Sequence, residues 1–260
     1  MILIDTHSHI YLDDFNDDRD AVVKEALAND VRYILLPNID SETSESLLQL
    51  ASQYPDICLP MMGLHPTSVK ENFHDELLLL EETLKKQKFY AIGETGMDLY
   101  WDNTFIHQQE VAFRRQLDLS LEYDLPIVIH CRKSFDEIIH VLQDYKNKMP
   151  RGVFHCFPGG LQQAEKVIEM GFYLGIGGVV SYKNSSMQKL IADIDLKNII
   201  LETDAPFLTP VPHRGKRNQS AYILHIAETI SQLKDIPLEE VAAQTTQNAI
   251  ELFKIQTHAK

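Results

Sequence analysis

Two histidines one residue apart, in His7-Ser8-His9, follow the short apolar run Ile2-Leu3-Ile4. Successive strand residues face opposite ways, so the two imidazoles share one side, and Asp5 shares it with them. Side-by-side imidazoles are half of a divalent-metal site. Further donors recur along the chain: His65 in Gly63-Leu64-His65-Pro66, Glu94 in Gly93-Glu94-Thr95-Gly96-Met97-Asp98, then His130, His155 and Glu202-Thr203-Asp204. The imidazoles of His7, His9, His130 and His155 and the carboxylates of Glu94 and Asp204 are too many for one tetrahedral zinc. They suit two divalent cations sharing a carboxylate, a pair that clamps the attacking and leaving oxygens of a hydrolytic displacement and activates water near neutral pH. Glu94 is the expected bridge. Asp204 is expected to ligate metal, to accept the proton of the attacking water, or both, which makes Glu94 and Asp204 the candidate catalytic residues. Glu202, a layer deeper on the same strand face, is expected to orient a histidine. Zinc, manganese and magnesium stay open as the ion, although imidazole favours the first two.

These donors need a scaffold that brings them together. Apolar or β-branched runs at 2–7, 32–37, 57–63, 89–93, 126–130, 152–155, 172–176 and 198–201 read as strands. Between them, residues 19–28, 44–53, 76–86, 108–123, 135–145, 161–170 and 187–194 carry apolar side chains three and four apart, the helical period. Two more helical stretches, 221–234 and 238–253, follow the eighth strand, with Pro237 placed for the first turn of the last. Eight strands alternating with helices over 260 residues predict an α/β fold, a (β/α)8 TIM barrel. The expected organisation is a single domain over 1–260 with an additional C-terminal helix. A doubly wound open sheet would carry a Gly-rich phosphate loop after its first strand, where this chain has His-Ser-His. In a barrel, chemistry gathers at the C-terminal strand ends. Five of the eleven histidines fall there. His-x-His alone is a weak signal, and His130 alone would read as a core histidine; joint placement at five strand ends argues for a site.

Composition sets limits on partners. The chain has 44% hydrophobic and 24% charged residues, as soluble globular proteins do, and no apolar run of membrane-spanning length. No basic segment precedes the first apolar run, so a secretory signal is not expected. The three cysteines, Cys58, Cys131 and Cys156, show no CxxC spacing, which points to a reducing, cytoplasmic compartment. A net charge of −14 argues against broad neutralisation of a DNA duplex and allows transient contact with a few phosphates. No obligate protein partner is evident.

The blocks around these donors resemble the signatures of the TatD family of metal-dependent hydrolases. They are Asp5-Thr6-His7-Ser8-His9, Gly63-Leu64-His65-Pro66, Gly93-Glu94-Thr95-Gly96-Met97-Asp98, His130-Cys131-Arg132, His155-Cys156-Phe157-Pro158-Gly159, Leu201-Glu202-Thr203-Asp204-Ala205-Pro206 and Pro210-Val211-Pro212-His213-Arg214-Gly215-Lys216-Arg217-Asn218, and they cover essentially the whole chain. The resemblance implies a TIM-barrel deoxyribonuclease using one or two divalent ions. It places the family's ligands on His7, His9, Glu94, His130, His155 and Asp204. Thr95, Met97 and Pro158 depart from the common residues without removing a ligand.

Substrate contacts are expected from His65, set at a stiff His-Pro corner, and from Arg132 and Arg214, with Lys216 beside the latter. Arginine suits phosphate, and loops after the last strands of a barrel often bind it. Phe157, Tyr100 and Trp101 are candidates for stacking on bases, or are loop and packing anchors. Cys131 and Cys156 are expected to turn away from the donor face and pack. His107, His140, His225 and His258 are expected at the surface or in structural roles, and the acidic run 13–20 as a solvated loop. Two further functions stay open: hydrolysis of esters or amides in the same barrel superfamily, and binding without catalysis. Superfamily members that bridge their metals with lysine are disfavoured, because the fourth strand ends in Glu94 and Lys88 precedes it.

Overall fold

The computed structural model describes residues 1–256. Eight parallel strands alternate with helices: β1 (Leu3–Asp5), α1 (Arg19–Ala28), β2 (Val31–Leu36), α2 (Ser41–Gln53), β3 (Cys58–Pro60), α3 (Phe73–Leu84), β4 (Ile92–Asp98), α4 (Ile106–Tyr123), β5 (Ile127–Arg132), α5 (Phe135–Gln143), β6 (Gly152–Phe154), α6 (Leu161–Glu169), β7 (Tyr173–Ile176), α7 (Ser186–Asp193), β8 (Ile199–Leu201) and α8 (Ile223–Lys234), followed by α9 (Leu238–Phe253). This is the expected TIM barrel with its extra helix. The ladders run β1-β2-β3 and β4-β5-β6-β7-β8. Two seams join them. At one, Met62 bridges Ile92, with Met62 N–H donating to Ala91 and Gly93 N–H to Met62. At the other, Ser8 bridges Ala205, with Thr6 N–H donating to Leu201, Asp204 N–H to His7 and His9 N–H to Ala205.

Two buried layers hold the barrel. Strand residues facing outward, among them Ile34, Ile129 and Phe154, pack with the helices. The inward face carries Ile4, Leu35, Val128, Val153 and Ile200, and α9 adds Ala249, Leu252 and Phe253 to this inner cluster. The additional helix therefore closes the apolar end of the barrel. Two residues further along three of these strands, the same face carries His130, His155 and Glu202, so the period of two converts an apolar floor into a polar mouth.

Several boundaries differ from expectation for identifiable reasons. β1 and β6 end before His7 and His155, so these histidines stand just beyond the ladder, held by single backbone hydrogen bonds such as His155 N–H to Ile129. β4 begins at Ile92 and continues to Asp98, because its parallel pairing with β5 extends to Asp98 opposite Arg132. α2 starts at Ser41, where Asp40 accepts the Thr43 N–H and the Thr43 hydroxyl faces the Asp40 N–H, a capping box. Pro237 stands at the N-cap of α9 rather than in its first turn. Among the described residues, no helix is long and apolar enough to cross a membrane.

Candidate metal centre

The mouth gathers all six expected ligands. His7 Nε2 lies 3.2 Å from His9 Nε2, 3.0 Å from Glu94 Oε2 and 3.8 Å from Asp204 Oδ1. His9 Nε2 lies 3.6 Å from both carboxylate oxygens. Donors at about 2.1 Å around a tetrahedral ion are separated by roughly 3.4 Å, and His7, His9 and Glu94 form one group with such spacing, while His7, His155 and Asp204 form another. Glu94 turns its other oxygen elsewhere: Oε1 is 2.7 Å from His130 Nδ1, 3.5 Å from His65 Nε2 and 3.7 Å from His155 Nε2. His155 lies between the two groups, stacked on His7 with ring centroids 3.4 Å apart and its Nε2 3.8 Å from Asp204 Oδ1.

The backbone makes this convergence possible. Asn38 O accepts the Glu94 N–H, and Asn38 in turn donates its side-chain amide to Gly63 O. Gly96 has φ +131°, and a Cβ there would lie 2.1 Å from the His130 carbonyl oxygen, so only glycine lets β4 pass beneath His130. Asp5 does not share the donor face as expected: its neighbour Ile4 faces the barrel interior, so Asp5 points the other way. Its carboxylate accepts the N–H and hydroxyl of Thr203, tying β1 to the end of β8.

Partners of the far ring nitrogens set which nitrogen presents a lone pair to the mouth. The Tyr11 hydroxyl donates to Pro37 O at 2.5 Å, so its oxygen accepts from His9 Nδ1–H at 2.9 Å and His9 Nε2 is left bare. His130 Nε2 lies 2.9 Å from Asp98 Oδ2. Glu202 Oε1 is 3.1 Å from His155 Nδ1, off the line of the ring N–H, and accepts the Cys156 amide instead. His65 Nδ1 lies 2.6 Å from the Thr67 hydroxyl and 3.1 Å from the Thr67 N–H, which turns Nε2 toward the mouth, where His65 groups with Glu94 and His130.

Electrostatics follow from burial and these neighbours. Burial pushes His7, His9 and His155 below the ordinary imidazole range, keeping them neutral as ligands must be. Burial raises the Asp204 and Glu202 carboxyls to about 7. For Glu94 burial works upward but is outweighed by His65, His7 and His155, and the carboxyl stays well below its usual value. For His130 burial works downward but is outweighed by Asp98 and Glu94, and its pKa rises to about 9. The donor set fits divalent cations once His130 releases its proton on binding: His7, His9 and Glu94 could hold one, with Asp204 close to both histidines, and Glu94 and His130 could contribute to a second, with His155 near the same Glu94 oxygen.

The other expected site residues have different placements. Arg132 is exposed at the end of β5, its guanidinium 4.0 Å above the Tyr100 ring and 5.1 Å from that of Trp101. Arg214 is exposed with its guanidinium 3.8 Å above Tyr182, and Lys216 is exposed nearby in the chain. Phe157 is 1% exposed and packs in the core, which removes it as a stacking surface. Cys131 is buried, as expected, but Cys156 is not turned away to pack. β6 has ended at Phe154, and Cys156, with φ +43°, lies half-buried beside His155 and Glu202. His225 pairs with Glu228 on α8, and His258 lies outside the described residues. Asp98 and Tyr11 were not expected as site residues. For Asp98 the signal was present in period two, which puts it on the face of Glu94 within β4; Tyr11 lies in a turn beyond β1, where alternation gives no guide.

Residues 4–254 match the family described as TatD related DNase. The chain is 35% identical over 255 residues to the uncharacterized metal-dependent hydrolase YabD of Bacillus subtilis, covering 98% of this chain and 100% of that protein. It is 32% identical over 247 residues to the 3'-5' ssDNA/RNA exonuclease TatD of Erwinia tasmaniensis, covering 93% and 95%. The crystal structure of YJJV, a TatD homologue from Escherichia coli, superposes with a TM-score of 0.91 at 30% identity over 98% of both chains. The family match over nearly the whole chain, these relatives and the shared fold show that the chain belongs to the TatD family of metal-dependent hydrolases.

Proposed function

We propose that this chain hydrolyses DNA phosphodiester bonds with two divalent cations held at the barrel mouth, zinc, manganese or magnesium. The observation that carries this reading is the two-sided engagement of Glu94: Oε2 faces His7 and His9, and Oε1 faces His130, His65 and His155. Such a carboxylate suits a bridged pair, the arrangement used for in-line displacement at phosphorus. Bound cations would supply an activated water and a Lewis acid for the phosphoryl oxygens. Asp204, beside His7, His9 and His155, takes the proton of the attacking water as the oxygen–phosphorus bond forms and the bond to the leaving oxygen breaks, and the leaving oxygen takes its proton from solvent. His65 contacts the phosphate through Nε2. Arg132 and Arg214, supported on aromatic faces, neutralise the flanking backbone charge. The name of the Erwinia relative supports a nucleic-acid substrate.

The test is hydrolysis by metal-loaded protein of bis-p-nitrophenyl phosphate and a single-stranded oligodeoxynucleotide, beside a panel of carboxylic esters and amides. Cation-dependent cleavage of the two phosphodiesters is the expected outcome. Cleavage confined to the esters or amides would overturn the proposal.

A further inference from the structure

The segment after β4 carries a feature that the hydrolytic chemistry does not use. Tyr100 and Trp101 are 47% and 68% exposed, and Trp101 is the one tryptophan of the sequence. They form an ordered pair, edge to face at 4.9 Å, and both backbone N–H groups donate to Asp98 Oδ1. The other oxygen of Asp98 faces His130. Arg132, two residues past His130 and opposite Asp98 in the ladder, lays its guanidinium over both rings, and Lys133 Nζ is 5.0 Å from the Tyr100 centroid. A cationic, aromatic ledge is thus pinned to the rim of the donor cage in a chain whose net charge is −14.

An indole held in water beside arginine offers an open π-face next to a phosphate-binding group. We infer that Trp101, Tyr100 and Arg132 form a subsite for an unpaired nucleobase of the substrate strand, the base stacking on the ledge while Arg132 meets the adjoining phosphate. The inference rests on the phosphodiesterase reading above. A base inside a duplex has both faces covered by its neighbours, whereas an unpaired base can bring a free face to the indole. The anionic strand complements the local positive charge, and a stacked arginine keeps its N–H groups free at the guanidinium edge. Asp98 makes the ledge and the ligand His130 one unit, so a base seated there would fix the strand relative to the cage.

The sole tryptophan makes the subsite directly observable. Metal-loaded full-length protein is titrated, following tryptophan fluorescence, with a single-stranded phosphorothioate oligodeoxynucleotide and with an abasic strand of equal length. Saturable quenching is expected with the first, with the abasic strand bound about five-fold or more weaker. In turnover of ordinary single strands, Trp101→Ala should raise KM by about five-fold or more with a smaller change in kcat, and Trp101→Phe should restore most of it. Equal affinity for base-bearing and abasic strands, or a Trp101→Ala effect of equal size on both, would overturn the subsite. The fluorescence arm needs no turnover: discrimination without cleavage supports the subsite and overturns only the hydrolytic reading.

Discussion

Asp98 Oδ2 lies 2.9 Å from His130 Nε2, while the other oxygen of that carboxylate holds the backbone turn at Tyr100 and Trp101. One buried side chain therefore orients an imidazole of the mouth and shapes the loop beside it. Removing such a partner commonly weakens a metal site by about 10- to 100-fold. Asp98→Ala should lower divalent-metal affinity within that range, measured by equilibrium dialysis with metal analysis, while leaving the far-UV circular dichroism of the barrel intact. Unaltered affinity would mean that His130 needs no orienting partner.

Tyr11 has the matching role for His9. Tyr11→Phe keeps the ring and deletes the hydroxyl that links His9 Nδ1 to Pro37 O, stranding a buried acceptor and a buried donor. An expected loss of about 1–3 kcal/mol in urea-unfolding stability follows from leaving such groups unpaired. Metal affinity should fall as well, because His9 is then free to present the wrong nitrogen. A variant as stable as the parent would show that water replaces the hydroxyl.

The architecture was legible in the sequence because its signals are local. Apolar runs and helical periods are set by neighbours in the chain, so the strand–helix alternation and the donors at the strand ends could be placed from residue order. What depends on pairing between distant segments was not legible. The partnership of Asp98 with His130 spans 32 residues and needs the β4–β5 register that sets Asp98 opposite Arg132. Cys156 was misplaced because alternation was carried past the end of β6, where a left-handed backbone turns its side chain toward Glu202. Phe157 carried no local sign of burial; the core that covers it is assembled from many elements.

A cation bound to the folded chain and not to the unfolded one stabilises by mass action, about 2.7 kcal/mol at a hundred-fold excess over Kd. At roughly 2–4 °C per kcal/mol for a domain near this size, stripping metal with a chelator should lower Tm by about 5–10 °C. Differential scanning calorimetry before and after dialysis against chelator measures it. An unchanged Tm would argue that the cage does not hold metal tightly.

Arg217 grips Asp18 through its two terminal guanidinium nitrogens and covers the Phe15 ring, anchoring the segment after β8 to the start of α1. The Arg217 hydrogen bond holds the Asp18 carboxyl below its ordinary value. A carboxylate with a depressed folded pKa contributes fully above the unfolded value and loses the contribution as pH falls through the folded one. Arg217→Ala should therefore lower Tm at pH 7, and the gap from the parent should close below about pH 4. A gap that persists in acid would assign the effect to lost packing on Phe15.

The two seams of the barrel give the mouth residues a mechanical meaning. Where β8 meets β1, only a few backbone hydrogen bonds cross, and His7 and His9 stand on one bank with Asp204 on the other. Glu94, beside the β3–β4 seam, spans the opening to reach His7. An ion shared by these side chains would act as a hoop around the staves, tightening the two joints that the ladders leave thin. Amide hydrogens of Thr6, His9, Gly93 and Asp204 should then exchange with solvent more slowly in the loaded protein than in the stripped one.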